Sequence, residues 1–183
     1  MIQLTVSVGK QDHIWGSAKA PVTLLEYGDY ECPYCGAAYY VIKRIQEELE
    51  KDRMRFAFRN FPLAQSHPNA LRAAIAAEAA GLQKKFWKMH DELFENQNAL
   101  ETEDFKKYAK KLDLNMTKFL KDSSDEKIQQ RIQQDLMGGV RSGVSGTPTF
   151  YINGVRYDGL GEYKDLMFAL EAEYSKMLGR NYL

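Results

Sequence analysis

The sequence predicts an α/β fold, a central mixed β-sheet flanked by helices and interrupted by an all-helical insertion. Three observations carry this. An apolar run at Val22–Tyr27, a helical pattern behind it and a second strand-like run at Met54–Phe61 form the opening half of a parallel βαβ unit, with a right-handed crossover expected. From about Ser66 to Gln134 helical periodicity replaces strand patterning. Thr149–Ile152, Asn153-Gly154 and Val155–Tyr157 then return the chain to extended structure. Their Asn-Gly pair supplies the two positive φ angles of a type I′ hairpin turn. The expected division is 1–64 for the first part of the α/β framework, 65–139 for the helical insertion, and 140–183 for the second part with hairpin and closing helix.

In chain order, Ile2–Val8 alternates apolar and polar residues, which predicts a half-buried strand. A turn-like stretch with Gly16, Ser17 and Pro21 follows. Val22–Tyr27 has the Val-Thr-Leu-Leu composition of a central strand. A helix is expected from Gly36 to about Glu50, with Tyr39, Tyr40, Ile42, Ile45 and Leu49 as its apolar positions. Met54–Phe61 places apolar residues at even positions and is stopped by Pro62. In the insertion, Ala70–Ala80 is an alanine-rich helix ending at Gly81, and Phe86, Met89, His90, Leu93 and Phe94 recur at helical spacing. Thr102, Asn115 and Ser124 are the expected caps of three further helices. Asn115-Met116-Thr117 also fits a glycosylation sequon, for which the cap is the simpler explanation. Gly138, Gly139, Gly143 and Gly146 are expected to break the last of these helices, and Leu166, Leu170 and Tyr174 share one face of a closing helix.

At 183 residues with 44% hydrophobic content the chain can bury a substantial core without disulfide scaffolding. Its 25 basic and 25 acidic residues cancel, which gives no support for nucleic-acid or anionic-membrane binding. No apolar run approaches the roughly 20 residues of a membrane span. Met1–Lys10 has neither the basic start nor the apolar core of a signal peptide. As it stands the sequence is therefore expected in the cytoplasm; a leader already removed would place it in the periplasm or otherwise outside the cytoplasm.

The chemistry points to Cys32-Pro33-Tyr34-Cys35, which holds the only two cysteines. A strand feeding a helix that opens with C-x-x-C reads as a thioredoxin-like redox motif. Cys32 falls at the helix start, where unpaired backbone N–H groups and the positive end of the helix dipole favour a thiolate. Pro33 suits the first helical position, where its missing N–H would have had no partner. Cys35, one turn further on, is placed to attack a mixed disulfide at Cys32. Cys32 is thus the expected nucleophile and Cys35 the resolving thiol. A structural zinc site needs four ligands, and His13, His67 and His90 are scattered without metal spacing. A structural staple gains little, because cysteines three apart close almost no loop. His67, just before Pro68, reads as a capping or packing residue, and Phe86, Trp87, Met89 and Phe94 read mostly as core.

Glu26 to Cys35, followed by the helical block and then Gly146-Thr147-Pro148-Thr149-Phe150, resembles the DsbA-like thiol–disulfide oxidoreductases, thioredoxin folds interrupted by a helical domain. The resemblance covers nearly the whole chain. It implies a cis peptide bond before Pro148, with the Thr147–Pro148 loop packed against Cys32 and open to pairing with an extended substrate segment. It also implies that Glu26, six residues before Cys32, is a buried acid moving a proton to or from Cys35. Tyr34 would tune thiolate stability. C-P-Y-C is also the glutaredoxin dipeptide, whereas DsbA itself carries Pro-His, and the helical insertion favours the DsbA-like class over glutaredoxins.

The expected activity is exchange of the Cys32–Cys35 pair with protein or peptide thiols and disulfides, with no cofactor or metal beyond the redox-active cysteines. A further redox partner, glutathione or a thioredoxin-type system, would reset the pair. The alternatives are a glutaredoxin-like, glutathione-dependent reductase and a non-catalytic peptide-binding or chaperone module. The kappa-class glutathione transferases and hydroxychromene carboxylate isomerases share the scaffold but lack this C-x-x-C.

Overall fold

The computed structural model describes residues 1–179; the last four residues of the expected closing segment, 180–183, lie outside the described residues. Its elements in chain order begin with β1 (His13–Trp15), β2 (Val22–Gly28), α1 (Pro33–Glu48) and β3 (Met54–Asn60). The insertion supplies α2 (Ala70–Gly81), α3 (Phe86–Glu95), α4 (Thr102–Lys111), α5 (Met116–Asp122) and α6 (Glu126–Arg141). The chain closes with β4 (Thr149–Ile152), β5 (Val155–Tyr157) and α7 (Tyr163–Met177).

The five strands form one mixed sheet in the order β1-β3-β2-β4-β5. β2 lies at its centre, parallel to β3 and antiparallel to β4, with Glu26 opposite Phe58 on one side and Phe150 on the other. All seven residues of β2 are buried, as expected of a strand covered on both faces. Period-two alternation divides its side chains between two cores. Leu24, Phe56, Phe58, Phe150 and Ile152 join the larger core, which also contains Cys32, Cys35 and the buried faces of α1, α2, α3 and α7. Leu25, Tyr27, Ala57 and Tyr151 face the smaller one, closed by Leu4, Val8 and Leu136. This parity sends Glu26 to the face that carries the cysteines.

Four local expectations change. Ile2–Val8 is not a strand: it makes one bridge, Gln3 to Val155, flanked by Leu4 N to Gly154 O at 2.8 Å and Arg156 N to Ile2 O at 2.9 Å. Beyond that, side chains satisfy its backbone. Thr5 N donates to Ser142 Oγ, and the Val6 and Ser7 carbonyls accept from the buried Arg59. The edge strand is instead His13–Trp15, within a stretch that reads as a turn. The caps of α4 and α6 are Glu101 and Asp125, neighbours of the expected Thr102 and Ser124, while Asn115 caps α5 by accepting from Lys118 N. Tyr40 is exposed rather than an apolar contact of α1.

The fourth change is the largest. Helix α6 runs through Gly138 and Gly139 to Arg141, across the expected junction at 139/140. A Cβ at Gly139 would stand 2.8 Å from the Phe61 ring and 3.0 Å from Tyr27. Glycine here admits a close helix–sheet approach rather than ending the helix.

Candidate active site

β2 ends at Gly28, where a side chain would collide with the Phe58 ring and the Glu26 carboxyl. The chain turns through Asp29-Tyr30-Glu31 into Cys32, the N-cap of α1, with φ −73° and ψ 122°. Cys32 N donates to Asp29 O at 3.2 Å, and Gly36 N donates to Cys32 O at 3.0 Å, which closes the first helical turn. Pro33 is the first helical residue. Cys35 follows one turn later and is fully buried, and Cys32 is 3% exposed. Both are free thiols. Asp29 N approaches Cys35 Sγ at 3.4 Å. Tyr34, at 75% exposure, stands out into solvent beside the pair.

The second strand of the site arrives from far along the chain. The Thr147–Pro148 peptide is cis, and Cys32 Sγ donates to Thr147 O at 3.4 Å. The Thr147 hydroxyl is buried with no partner in the dithiol form, a donor left over for a thiolate.

The two thiols ionise very differently. A hydrogen bond from Cys35 is the main cause that brings the Cys32 pKa down to about 5, against its burial. Thr147 and the N–H groups of Cys35 and Tyr34 at the helix start add to the effect. Burial raises Cys35 well above the ordinary thiol range, and its bond to Cys32 and the charges of Glu26 and Cys32 raise it further. Burial also carries Glu26 up to about 8, with the Cys32 charge adding to it. Glu26 is 2% exposed, and its Oε1 has no hydrogen-bond partner. One side of it lines a cleft of about 180 Å³ shared with Trp15, Tyr39, Lys43, His90 and Asp91. At roughly 30 Å³ of liquid volume per molecule, that is room for a few waters.

The structure thus brings Cys32, Cys35, Thr147 and Pro148 together, with Pro33 and Tyr34 on the helix start and Glu26 beneath. The sequence did not disclose the residues that hold this loop from outside. Gln97 Nε2 donates to both Tyr30 O at 2.8 Å and Cys32 O at 2.9 Å. Tyr30 OH meets His90 Nδ1 at 3.2 Å, where burial first, then Lys43 and His13, drive the His90 pKa down to about 3. His67, read as a cap or packing residue, places Nδ1 2.8 Å from Asp29 Oδ2. The one signal available was acidic residues, Asp29 and Glu31, directly before a cysteine at the end of an apolar run. Their partners lie too far along the chain for any spacing to show. Among the described residues no group of three or more His, Cys, Asp or Glu is arranged to hold a metal, and no helix is long and apolar enough to cross a membrane.

Comparison with known proteins agrees with this geometry. A sequence profile described as "Thioredoxin" matches residues 9–172. The chain is 41% identical over 176 residues to a Na(+)/H(+) antiporter NhaA 1 of Salinispora arenicola, covering 96% of this chain and 27% of that protein. It is 37% identical over 161 residues to a Na(+)/H(+) antiporter NhaA of Herminiimonas arsenicoxydans, covering 88% of this chain and 25% of that one. The chain therefore spans about a quarter of the curated relatives it matches. Among solved structures it superposes on Wolbachia pipientis alpha-DsbA1 with a TM-score of 0.82 at 22% identity, covering 96% of each chain. BdbD from Bacillus subtilis (oxidised) superposes with a TM-score of 0.79 at 23% identity, covering 90% of this chain and 94% of that one. The matched profile and the five-stranded sheet with its helical insertion identify the chain as a member of the thioredoxin family in its DsbA-like form.

Proposed function

We propose that this domain exchanges its Cys32–Cys35 pair with the thiols and disulfides of protein or peptide substrates, through a mixed disulfide at Cys32. The observation that carries the reading is the asymmetry of the pair. Cys32 ionises near pH 5 beside the Thr147–Pro148 loop, while Cys35 is buried and held as a thiol.

In the oxidising direction a substrate thiolate attacks Cys32 Sγ, and the Cys32–Cys35 bond breaks. Cys35 leaves with the bonding pair and takes a proton, for which Glu26, with a pKa near 8, is the nearby acid. The second substrate thiolate attacks its own mixed-disulfide sulfur and expels Cys32 as a thiolate, a good leaving group because its pKa is low. The substrate loses two electrons and the domain gains them. The reducing direction is the same path reversed, with Cys35 as the resolving thiol. The cleft beside Glu26 has room for a few waters, which would carry the proton onward. An extended substrate segment fits beside Thr147, where main-chain groups ahead of β4 stand next to Cys32.

The test is the pH profile of alkylation. Iodoacetamide labelling should fall on Cys32 with a midpoint near pH 5 and leave Cys35 unlabelled at neutral pH. Cys32→Ala should abolish insulin-disulfide exchange, and Cys35→Ala should accumulate mixed disulfides on Cys32. A Cys32→Ala variant with full exchange activity would overturn the assignment of Cys32 as nucleophile and the reading with it.

A further inference from the structure

Three acidic residues bear on the dithiol and on the loop that leads into it. Glu26 lies beneath the pair, while Asp29 and Glu31 sit in the loop that delivers Cys32. Asp29 is 1% exposed and deeply integrated. Its carboxylate accepts from Leu63 N at 2.8 Å and from Glu31 N at 2.8 Å. Its own N–H approaches Cys35 Sγ, and its carbonyl accepts from Cys32 N. The Glu31 carboxylate accepts from Asn69 N at 2.6 Å and Asn69 Nδ2 at 3.3 Å, which are neutral partners. Among the described residues no lysine or arginine pairs with Asp29 or Glu31. The ionisable base in contact is His67, whose Nδ1 stands 2.8 Å from Asp29 Oδ2.

A buried carboxylate without a partner is costly, and a thiolate formed beside it more so. From this arrangement we infer that His67 is a redox-linked counter-charge, an imidazolium held on Asp29 that balances the carboxylates of the loop before Cys32 and gains or loses its proton with the thiol–disulfide state of the pair. The inference rests on the exchange activity proposed above and adds to it a positioning residue outside the C-x-x-C motif. The charged groups facing His67 agree with it. Burial works against the imidazolium, but the bond and charge of Asp29, followed by Cys32 and Glu31, outweigh burial and raise its pKa above the ordinary histidine value.

The coupling has a definite sign. Reduction brings two electrons from a substrate dithiol, which becomes a disulfide; Cys35 takes one proton and Cys32 remains a thiolate. That new anion favours a proton on His67, drawn from solvent. Reciprocally, protonating His67 favours the reduced pair, so the domain should oxidise more strongly as pH falls through the His67 titration.

The test is an NMR titration of the histidine ring protons in the full chain. One sample carries the cysteines oxidised by diamide, one carries them reduced, and one carries Cys32→Ser. His67→Gln assigns the resonance, with His13 as the internal control. The His67 midpoint should stand higher in the reduced protein than in the oxidised one by about 0.5 to 1 pH unit, with Cys32→Ser following the oxidised form. Equal midpoints in all three would overturn the inference.

A charge cycle supplies a second readout, the thiolate absorbance of Cys32 against pH. His67→Gln should raise the midpoint by a similar amount, roughly a three- to tenfold smaller thiolate fraction below the midpoint. Asp29→Asn should lower it, and the double variant should return it toward the unsubstituted value. Two single variants moving the midpoint in the same direction would show loop disruption instead and overturn the inference. A pair that refuses to form a disulfide defeats the exchange reading alone. The reduced protein against Cys32→Ser still tests the counter-charge.

Discussion

Glu26 shows what one residue contributes at this site. β2 parity turns it into the larger core, where its Oε1 finds no partner and burial lifts its pKa from 4.5 to about 8. The folded protein therefore holds a proton there that the unfolded chain releases between about pH 4.5 and 8. Stability tied to this group is fully present below pH 4.5 and is lost as pH rises through 8. At about 1.4 kcal/mol per pH unit, the loss across that window is on the order of a few kcal/mol. Glu26→Gln, neutral at all pH values, should be more stable than the parent protein at about pH 8 and lose that advantage toward pH 4.5. Urea melts at the two pH values measure the difference. An unchanged gap would mean the carboxyl is solvated in the folded protein. The same variant should slow exchange, since Cys35 loses its nearby acid.

Among the elements, α6 makes the most informative case. Consecutive glycines ordinarily weaken a helix by about 1 kcal/mol each, and read from sequence alone they predict a stop. The two glycines face different surroundings. A Cβ at Gly138 would meet Tyr27 Oη at an ordinary 3.6 Å, whereas at Gly139 it would press on the Phe61 and Tyr27 rings. Gly138→Ala should therefore stabilise the protein by about 0.5 to 1 kcal/mol, while Gly139→Ala should destabilise it by about 1 to 3 kcal/mol. Denaturant midpoints of the two variants check the opposite signs. The misreading has a physical cause, because backbone cost is local and visible in sequence while the approach of two rings from β2 and the end of β3 is not. Ile2–Val8 repeats the lesson. Its alternation does turn Leu4 and Val8 inward, but Arg59 and Ser142 side chains supply the hydrogen bonds that a neighbouring strand would have made.

Taken whole, the molecule shows which kinds of information a sequence holds. The C-x-x-C at a helix start, the central strand and the Asn-Gly hairpin were legible because each is a short pattern with its own local physics; the cis bond at Thr147-Pro148 followed only from the family resemblance. Gln97, His67, Asn69 and His90 were not, because each holds the Cys32 loop from the helical insertion across tens of residues. The insertion thereby holds the loop from which α1 starts, and the separation of the two thiol pKa values at that start has a global consequence. In the unfolded chain Cys32 returns to the ordinary 9. Its lowered folded pKa contributes stability to the reduced protein that is complete above about pH 9 and is lost as pH falls through 5. Between about pH 5 and 7 the reduced form should gain on the order of 2 kcal/mol. The oxidised form carries no thiolate and should gain none of it. Glu26 works in the opposite direction over the same range, so the Glu26→Gln background removes its contribution. Guanidinium melts of reduced and oxidised protein in that background, at about pH 5 and pH 7, should show the reduced form pulling ahead as pH rises. A constant difference between the two forms would mean that the folded structure does not stabilise the Cys32 thiolate, and the asymmetry behind the proposed exchange would fall with it.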